Sequence, residues 1–162
     1  MNNKISKSIL AALLVLSLPV LVFADVAADF AQARQSMAKS NYAQANFYFF
    51  KILASQPNNI EAQYGLAQSF SNQQDYPRVR VELDKLFALN SRHQEGLLLS
   101  AMLNLLDKNY ASALQDAQQV IQQNPDSVQA YKYMSSAYAG LGDEASAKQA
   151  MDRSLQLSAT QK

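Results

Sequence analysis

The stretch Asn41-Tyr42-Ala43-Gln44-Ala45 returns three more times along this chain of 162 residues. Its counterparts are Asp75-Tyr76-Pro77-Arg78-Val79, Asn109-Tyr110-Ala111-Ser112-Ala113 and Asp143-Glu144-Ala145-Ser146-Ala147. The acidic or amide residue recurs at a constant interval, at positions 41, 75, 109 and 143, and the tyrosine after it is lost only in the fourth copy, where Glu144 stands. A fixed period in the range of about 20 to 50 residues indicates tandem repeats, each a supersecondary unit that stacks on its neighbours.

Four frames of equal length, 26–59, 60–93, 94–127 and 128–161, follow one another without an insertion. Each frame predicts two helices and a tight turn. The first (A) helices are predicted near 27–39, 60–73, 94–107 and 128–141, and the second (B) helices near 42–55, 76–89, 110–123 and 144–157. Asn41, Asp75, Asn109 and Asp143 precede the B helices, where a side-chain oxygen accepts from free amides of the first turn.

Apolar residues recur at the helical period within these segments. In the B helices they are Ala45, Phe49 and Ile52, then Val79, Leu83 and Leu86, then Ala113, Ala117 and Val120, and last Ala147 and Met151. Such a stripe has to be buried against other helices. One helix pair cannot cover its whole apolar face, so neighbouring pairs stack and share a continuous core. The predicted fold class is therefore all-α.

Residues 1–24 have the anatomy of a secretory signal peptide. Lys4 and Lys7 form a positive region, an apolar run covers 9–23, and positions 22 and 24 carry Val and Ala. This pattern predicts cleavage before Asp25 and a repeat domain over 25–162. The alternative is an uncleaved membrane anchor, although the apolar run is shorter than the ~20 residues that a spanning helix needs. The expected location is the periplasm, with secretion as the other outcome of export.

Charge and cysteine content exclude several classes of function. The full chain has a net charge of +1, and removing Lys4 and Lys7 from its 14 Lys and Arg leaves 12 against 13 Asp and Glu, or −1. No basic field remains to hold a phosphate backbone, so nucleic acid is not expected as a partner. The chain has no cysteine, which excludes disulfides, thiolate metal sites and a lipidated cysteine.

Residues 26–161 resemble a tetratricopeptide repeat array. The matching positions are the small residue of helix A (Ala33, Ala67 and Ala101, with Ser135 in the fourth frame), the turn pairs beginning at Asn41, Asp75 and Asn109, and the closing prolines Pro57 and Pro125. The departures are Asp29 and Gln63, where the family has a bulky apolar residue, Ser36 and Asn104, where it prefers an aromatic, and Ser91 and Ala159, which replace the proline. These departures weaken individual repeats but leave the period intact.

The resemblance implies an α-solenoid of four repeats, a right-handed superhelix whose concave surface is lined by the A helices. Such arrays bind peptides or protein segments and are not usually enzymes. The positions that face the groove in the family predict partner-binding residues Phe30, Arg34, Met37, Tyr64, Gln68, Leu98, Met102, Leu105, Lys132 and Ser136. Only Arg34 and Lys132 match the cations of the carboxylate clamp found in chaperone-binding members, so binding to an acidic C-terminal tail is not expected.

The segment 97–106, Leu-Leu-Leu-Ser-Ala-Met-Leu-Asn-Leu-Leu, is apolar nearly all round. One interpretation is that this A helix lies in the middle of the stack and is packed on both sides. The other is that Leu98, Met102 and Leu105 form an apolar floor for a partner segment, since Met and Leu suit an adaptable groove. The sequence leaves both open.

Two other surfaces also have two interpretations. Leu155 and Leu157 lie near the end of the last helix and are expected to be partly exposed. That helix is either polar enough to cap the array or packs against another copy. In the run Phe47-Tyr48-Phe49-Phe50, Phe49 is predicted to be core, and its neighbours either pack against adjacent helices or form a partner-facing patch on the outer side.

No constellation for catalysis is found. His93, the only histidine, is expected to be a solvated loop residue, and alone it cannot build a usual transition-metal site. The four glycines form no phosphate-cradling loop, and no serine–histidine–acid arrangement has a plausible context. We therefore expect no enzyme activity, no cofactor and no metal.

Two functional hypotheses follow. The first is an exported adaptor or assembly chaperone of the bacterial cell envelope, which binds a segment of a partner protein in the helix-A groove. The alternative is a structural module that self-associates through its repeat ends and has no peptide ligand. In both, membrane binding is not expected to be strong once the signal is cleaved.

Overall fold

The computed structural model describes residues 26–160, and all regular secondary structure in this range is helical. The eight described helices are α1 (26–38), α2 (Tyr42–Ser55), α3 (Ile60–Asn72), α4 (Tyr76–Leu89), α5 (Gln94–Leu106), α6 (Tyr110–Gln123), α7 (Val128–Gly140) and α8 (Glu144–Thr160). They form four consecutive helix–turn–helix pairs, which confirms the predicted fold class. Apart from the start of α1, which coincides with the first described residue, each boundary lies within one residue of its prediction, except the end of α8, predicted at 157 and observed at Thr160.

The predicted signal peptide, residues 1–24, lies outside the described residues, so cleavage before Asp25 stays a prediction. None of the helices within 26–160 combines the length and the apolar character needed to cross a membrane.

The turn inside each pair has a backbone geometry that the sequence did not reveal. Ser40, Gln74, Lys108 and Gly142, again spaced by one repeat period, have φ angles of 56°, 59°, 60° and 81°. This left-handed residue lets the next amide reach back to the last turn of the A helix, as in the Asn41 N–H to Ser36 carbonyl bond of 2.9 Å. The equivalent bond in the fourth pair, from Asp143 to Tyr138, is also 2.9 Å. Only the fourth copy uses glycine, the residue that adopts this conformation without strain.

Three of the four predicted N-caps are present. The side-chain oxygens of Asn41, Asp75 and Asp143 accept from the amides three residues later, at 3.3, 3.2 and 3.1 Å. The prediction for Asn109 is wrong, because its side chain makes no capping hydrogen bond. Helix α6 nevertheless begins at the same frame position, since the Asn109 N–H bonds to the Asn104 carbonyl at 2.7 Å and fixes the turn.

The chain divides between Ser69 and Phe70, inside α3, into two compact units. The described part of the first unit is 26–69. Its core contains the fully buried residues Ala33, Ala45, Ile52, Ala62, Leu66 and Ala67, with Phe49 nearly buried. The ring of Phe49 meets Phe30 edge to face, with 6.4 Å between ring centroids. Phe49 thus joins α1 to α2, as predicted for a core residue.

One departure from the family pattern, Asp29, has a structural explanation in the first unit. Asp29 stands where a bulky apolar residue is usual, and its side chain is almost fully buried. The ammonium of Lys51 on α2 donates to its carboxylate at 2.9 Å. A buried charge requires such a partner, so an ion pair replaces the apolar contact between these two helices.

The described part of the second unit is 70–160. In its middle, Ala117 and Val120 of α6 form a buried cluster with Leu97 of α5 and Ala130 of α7. Half-buried residues packed against the cluster are Phe87, Leu98, Ile121, Tyr133 and Met134. Helix α7 therefore covers the face of the third pair, which is the stacking that the apolar stripes predicted.

Candidate partner-binding surface

Helix α5 has one buried side and one side that is partly open to solvent. Leu97, Ala101 and Leu103 are buried, with exposures of 4%, 0% and 1%. Leu98, Met102 and Leu105, spaced four and three residues apart, are half-buried, and Leu106 beside them is 55% exposed. Packing inside the stack thus accounts for only part of this apolar helix. The remainder is an apolar strip of α5 comprising Leu98, Met102, Leu105 and Leu106.

The neighbouring helix α7 supplies polar residues at the matching frame positions. Lys132 and Ser136 lie one repeat period after Leu98 and Met102, and both are at least partly open to solvent. Helices α5 and α7 are in contact. The predicted residues of the second unit therefore lie on adjacent helices, and together they offer an apolar strip beside a cation and a hydroxyl.

The predicted residues of the first unit divide by exposure. Phe30 and Met37 of α1 and Tyr64 of α3 are half-buried, while Arg34 and Gln68 are exposed. The guanidinium of Arg34 lies 5.8 Å from the centroid of the Phe30 ring, within the range of a cation–π contact. Phe30 therefore has one side in the core against Phe49 and another under Arg34.

Two other surfaces differ from their simplest interpretation. Phe47 and Phe50 on α2 remain 61% and 49% exposed, so packing against neighbouring helices does not cover them. Near the end of α8, Leu155 is 59% exposed as expected, whereas Leu157 is 6% exposed and belongs to the core. The expectation of exposure for Leu157 is wrong because α8 continues to Thr160 and keeps that side chain on its inner face.

A polar cluster between α5 and α6 explains another departure from the family pattern. The Ser100 hydroxyl and the Asn104 amide both donate to one carboxylate oxygen of Asp116, at 2.7 and 2.9 Å. Asn104 stands where the family prefers an aromatic, and here its amide joins the two helices. Burial raises the pKa of Asp116, an effect that these two hydrogen bonds oppose.

His93 is not the solvated loop residue that the sequence suggested. Its side chain is only 14% exposed, and Nδ1 accepts a hydrogen bond from the Gly96 amide at 3.1 Å. The imidazole therefore caps α5, at the frame position where Asn59 and Ser127 cap α3 and α7. The signal was present in the sequence, since positions 59, 93 and 127 follow the same repeat period.

A cleft of about 680 Å³ lies between α7 and α8. Tyr131, Met134 and Tyr138 of α7 line it together with polar residues of α8, among which Asp152 is the single carboxylate. Its lining contains no histidine. Within 26–160, no group of three or more acidic or histidine side chains is placed to hold a metal ion.

Sequence reasoning missed an ion pair that links successive repeats. Arg80 of α4 contacts the carboxylate of Asp107, just after the end of α5, and its guanidinium lies 3.5 Å from the Leu103 carbonyl. Lys148 of α8 lies two repeat periods after Arg80 and thus occupies the same frame position. Comparing the charged residues at equal positions of the repeat frames would have shown that Arg80 and Lys148 correspond.

Solved structures with the same architecture identify the fold. MamA of Desulfovibrio magneticus RS-1 superposes with a TM-score of 0.75 at 21% identity, over 82% of this chain and 75% of that one. The fold is that of a tetratricopeptide repeat array. PilF of Pseudomonas aeruginosa gives a TM-score of 0.74 at 21% identity, over 84% of this chain and 62% of that one. YrrB, described as a TPR protein with an unusual peptide-binding site, gives 0.69 at 19% identity, over 82% of this chain and 68% of that one.

No protein-family model matches the sequence, and none of the curated proteins is significantly similar to it. Tetratricopeptide arrays are generally non-catalytic scaffolds for protein–protein interaction. For this chain, the likeness to these structures establishes the fold.

Proposed function

We propose that this protein is a non-catalytic scaffold or assembly chaperone of the bacterial cell envelope, which binds a segment of a partner protein along the A helices. The observation that carries the proposal is the apolar strip of α5, where Leu98, Met102 and Leu105 are half-buried and Leu106 is 55% exposed. Apolar surface of this kind costs roughly 25 cal/mol per Å² when water covers it, and it commonly marks an interface. The peptide-binding site named for YrrB is a precedent on the same fold.

Export is the part of the proposal that rests on the sequence alone. Lys4 and Lys7 precede an apolar run of signal-peptide length, and the chain has no cysteine to be oxidised outside the cytoplasm. The test is mass spectrometry of the protein recovered from fractionated cells. We expect a periplasmic protein that begins at Asp25. A chain that retains Met1 and stays in the cytoplasmic fraction would refute an envelope role.

The binding surface is tested by substituting Leu98→Asp and Met102→Asp together. Partners crosslinked to the wild-type protein in intact envelopes should be lost from the variant, while its sedimentation coefficient stays unchanged. Because Leu98 also packs against the cluster of Ala117 and Val120, helicity is checked by circular dichroism. A second variant, Met102→Asp with Leu106→Asp, places both charges on side chains that lie outside that cluster.

The alternative, self-association through a repeat end, is favoured by the exposed apolar residues of α8, Met151 at 42% and Leu155 at 59%. The matched variant is Met151→Asp with Leu155→Asp. If that variant alone changes the oligomeric state, and the α5 variants keep all their partners, the scaffold proposal is wrong and the protein is a self-associating module.

A further inference from the structure

Helix α8 has a face that its counterparts in the earlier pairs keep covered. Phe49, Leu83 and Ala117 occupy one frame position in α2, α4 and α6, and they are 4%, 3% and 0% exposed. The residue at that position in α8, Met151, is 42% exposed. One turn later, Leu53, Phe87 and Ile121 are half-buried, whereas Leu155 is 59% exposed. We call the face of α8 formed by Lys148, Met151 and Leu155 the end face.

The helices that cover this face elsewhere show what shape fits it. In the second unit, α7 lays Ala130, Tyr133 and Met134 over the third pair. At its C-terminal end, Gly140 lies against the ring of Tyr110. The occupant that fits the end face is therefore one amphipathic helix, antiparallel to α8, whose C-terminal end lies beside the start of α8.

The positive charge of Lys148 indicates which residue the bound helix should carry at its C-terminal end. Arg80, at the frame position of Lys148, contacts the Asp107 carboxylate and the Leu103 carbonyl at the C-terminal end of the helix that follows it. Lys148 is exposed, and its ammonium makes no ion pair within residues 26–160. A helix C-terminus already carries partial negative charge, and an acidic residue there would complete the pair that Arg80 makes.

The α1 helix of a second copy fits the end face poorly as the helix that continues the array. In that position it would bring Ala28, Ala31, Gln32 and Gln35 against Met151 and Leu155. The same register puts Lys39, at the frame position of Asp107, beside Lys148. Two like charges and two buried amides disfavour this contact.

We propose that the end face binds an amphipathic helix of another protein, which carries an aspartate or glutamate at its C-terminal end to pair with Lys148. This site is separate from the apolar strip of α5, so the end-face proposal does not depend on the proposed function.

The test uses the full chain and two labelled synthetic peptides based on α7, the helix that covers the equivalent face of the third pair. Both have the sequence of residues 127–141, one with Leu141→Asp and the other with Leu141→Lys, since 141 is the frame position of Asp107. Fluorescence anisotropy measures binding up to about 1 mM, the range of weak association. We expect the wild-type chain to bind the Asp peptide about tenfold more tightly than the Lys peptide, because the exchange removes an attraction and adds a repulsion.

Two variants of the protein complete the experiment. Lys148→Glu should reverse the preference between the peptides, while Lys39→Glu, an equal change of charge on α1, should leave both affinities unchanged. Leu155→Asp should weaken both peptides alike, since it removes apolar contact from the face. No binding of either peptide, equal binding of both, or a preference that survives Lys148→Glu would each overturn the proposal.

Sedimentation velocity tests the other possible occupant of the end face, a second copy of this chain. If the wild-type chain self-associates and Leu155→Asp abolishes that association, the end face holds a second copy and the proposal is wrong. If Leu155→Asp leaves the sedimentation coefficient unchanged, the partner-helix assignment is retained.

Discussion

Gly140 of α7 lies directly against the ring of Tyr110 at the start of α6: a Cβ added to Gly140 would come within 2.4 Å of the ring atoms Cδ1 and Cε1. The glycine is required by this close approach, which brings the end of one helix onto the beginning of the preceding one. The repeat pattern alone gives no reason for a glycine at this position.

Gly140→Ala is expected to destabilise the second unit by about 1–2 kcal/mol, because the methyl group forces the Tyr110 ring to move. In an exposed helix the same change would be stabilising by up to about 1 kcal/mol, so the sign of the effect is diagnostic. Urea unfolding followed by circular dichroism measures it. Ser136→Ala, on the same helix at an exposed position, should have little effect, and adding Tyr110→Leu should recover part of the loss.

His93 is expected to contribute to stability as the cap of α5. Replacing it with Ala removes the acceptor for the Gly96 amide and should cost about 1 kcal/mol. His93→Asn retains a side-chain acceptor at the same position and should cost less than half as much. Equal losses for the two variants would show that the imidazole acts through packing and not as a cap. Thermal and urea unfolding provide the comparison.

Asp116 is expected to make stability depend on pH. Because burial raises its pKa in the folded chain, the folded state holds this proton to a higher pH than the unfolded state. The stability from the protonated group is fully present below the ordinary aspartate pKa of about 3.9. It is lost as the pH rises through the raised folded value.

The matching variant is Asp116→Asn. Both donors, Ser100 and Asn104, bond to one carboxylate oxygen, which the amide carbonyl of asparagine can replace. We expect this variant to be more stable than the wild type at pH 7, and the difference to vanish at acid pH. Asp84→Asn, at an exposed position of α4, controls for the change in net charge. A pH-independent difference would contradict the assignment.

The Asp29–Lys51 pair is expected to show strong coupling. Lys51→Met leaves a carboxylate buried between α1 and α2 without its partner, which should cost about 1–3 kcal/mol. The double variant Asp29→Leu with Lys51→Met places an apolar side chain where the family usually has one, and it should be at least as stable as the wild type. Additive losses in this double-mutant cycle, measured by urea unfolding, would show that the two side chains do not interact.

The sequence by itself determined the all-α fold, the four pairs and nearly every helix boundary. These features depend on residues within a few positions of one another: caps such as Asn41 and Asp75, stripes at the helical period, and prolines between frames. A fourfold repetition strengthened each local signal, because Asn41, Asp75, Asn109 and Asp143 recur in register. The same repetition predicted a cap at Asn109 that the structure does not contain.

Only the tertiary structure decided which side of each helix is covered. Leu97 and Leu98 are adjacent and equally apolar in sequence, but the first is buried and the second is half open. The role of Asp29 depends on Lys51, 22 residues away, and that of Asn104 on Asp116, 12 residues away. Exposure and partners at such distances are set by how whole helices pack, and a local pattern does not contain that information. For the same reason, the uncovered face of α8 became visible only when Met151 and Leu155 were compared with their buried counterparts.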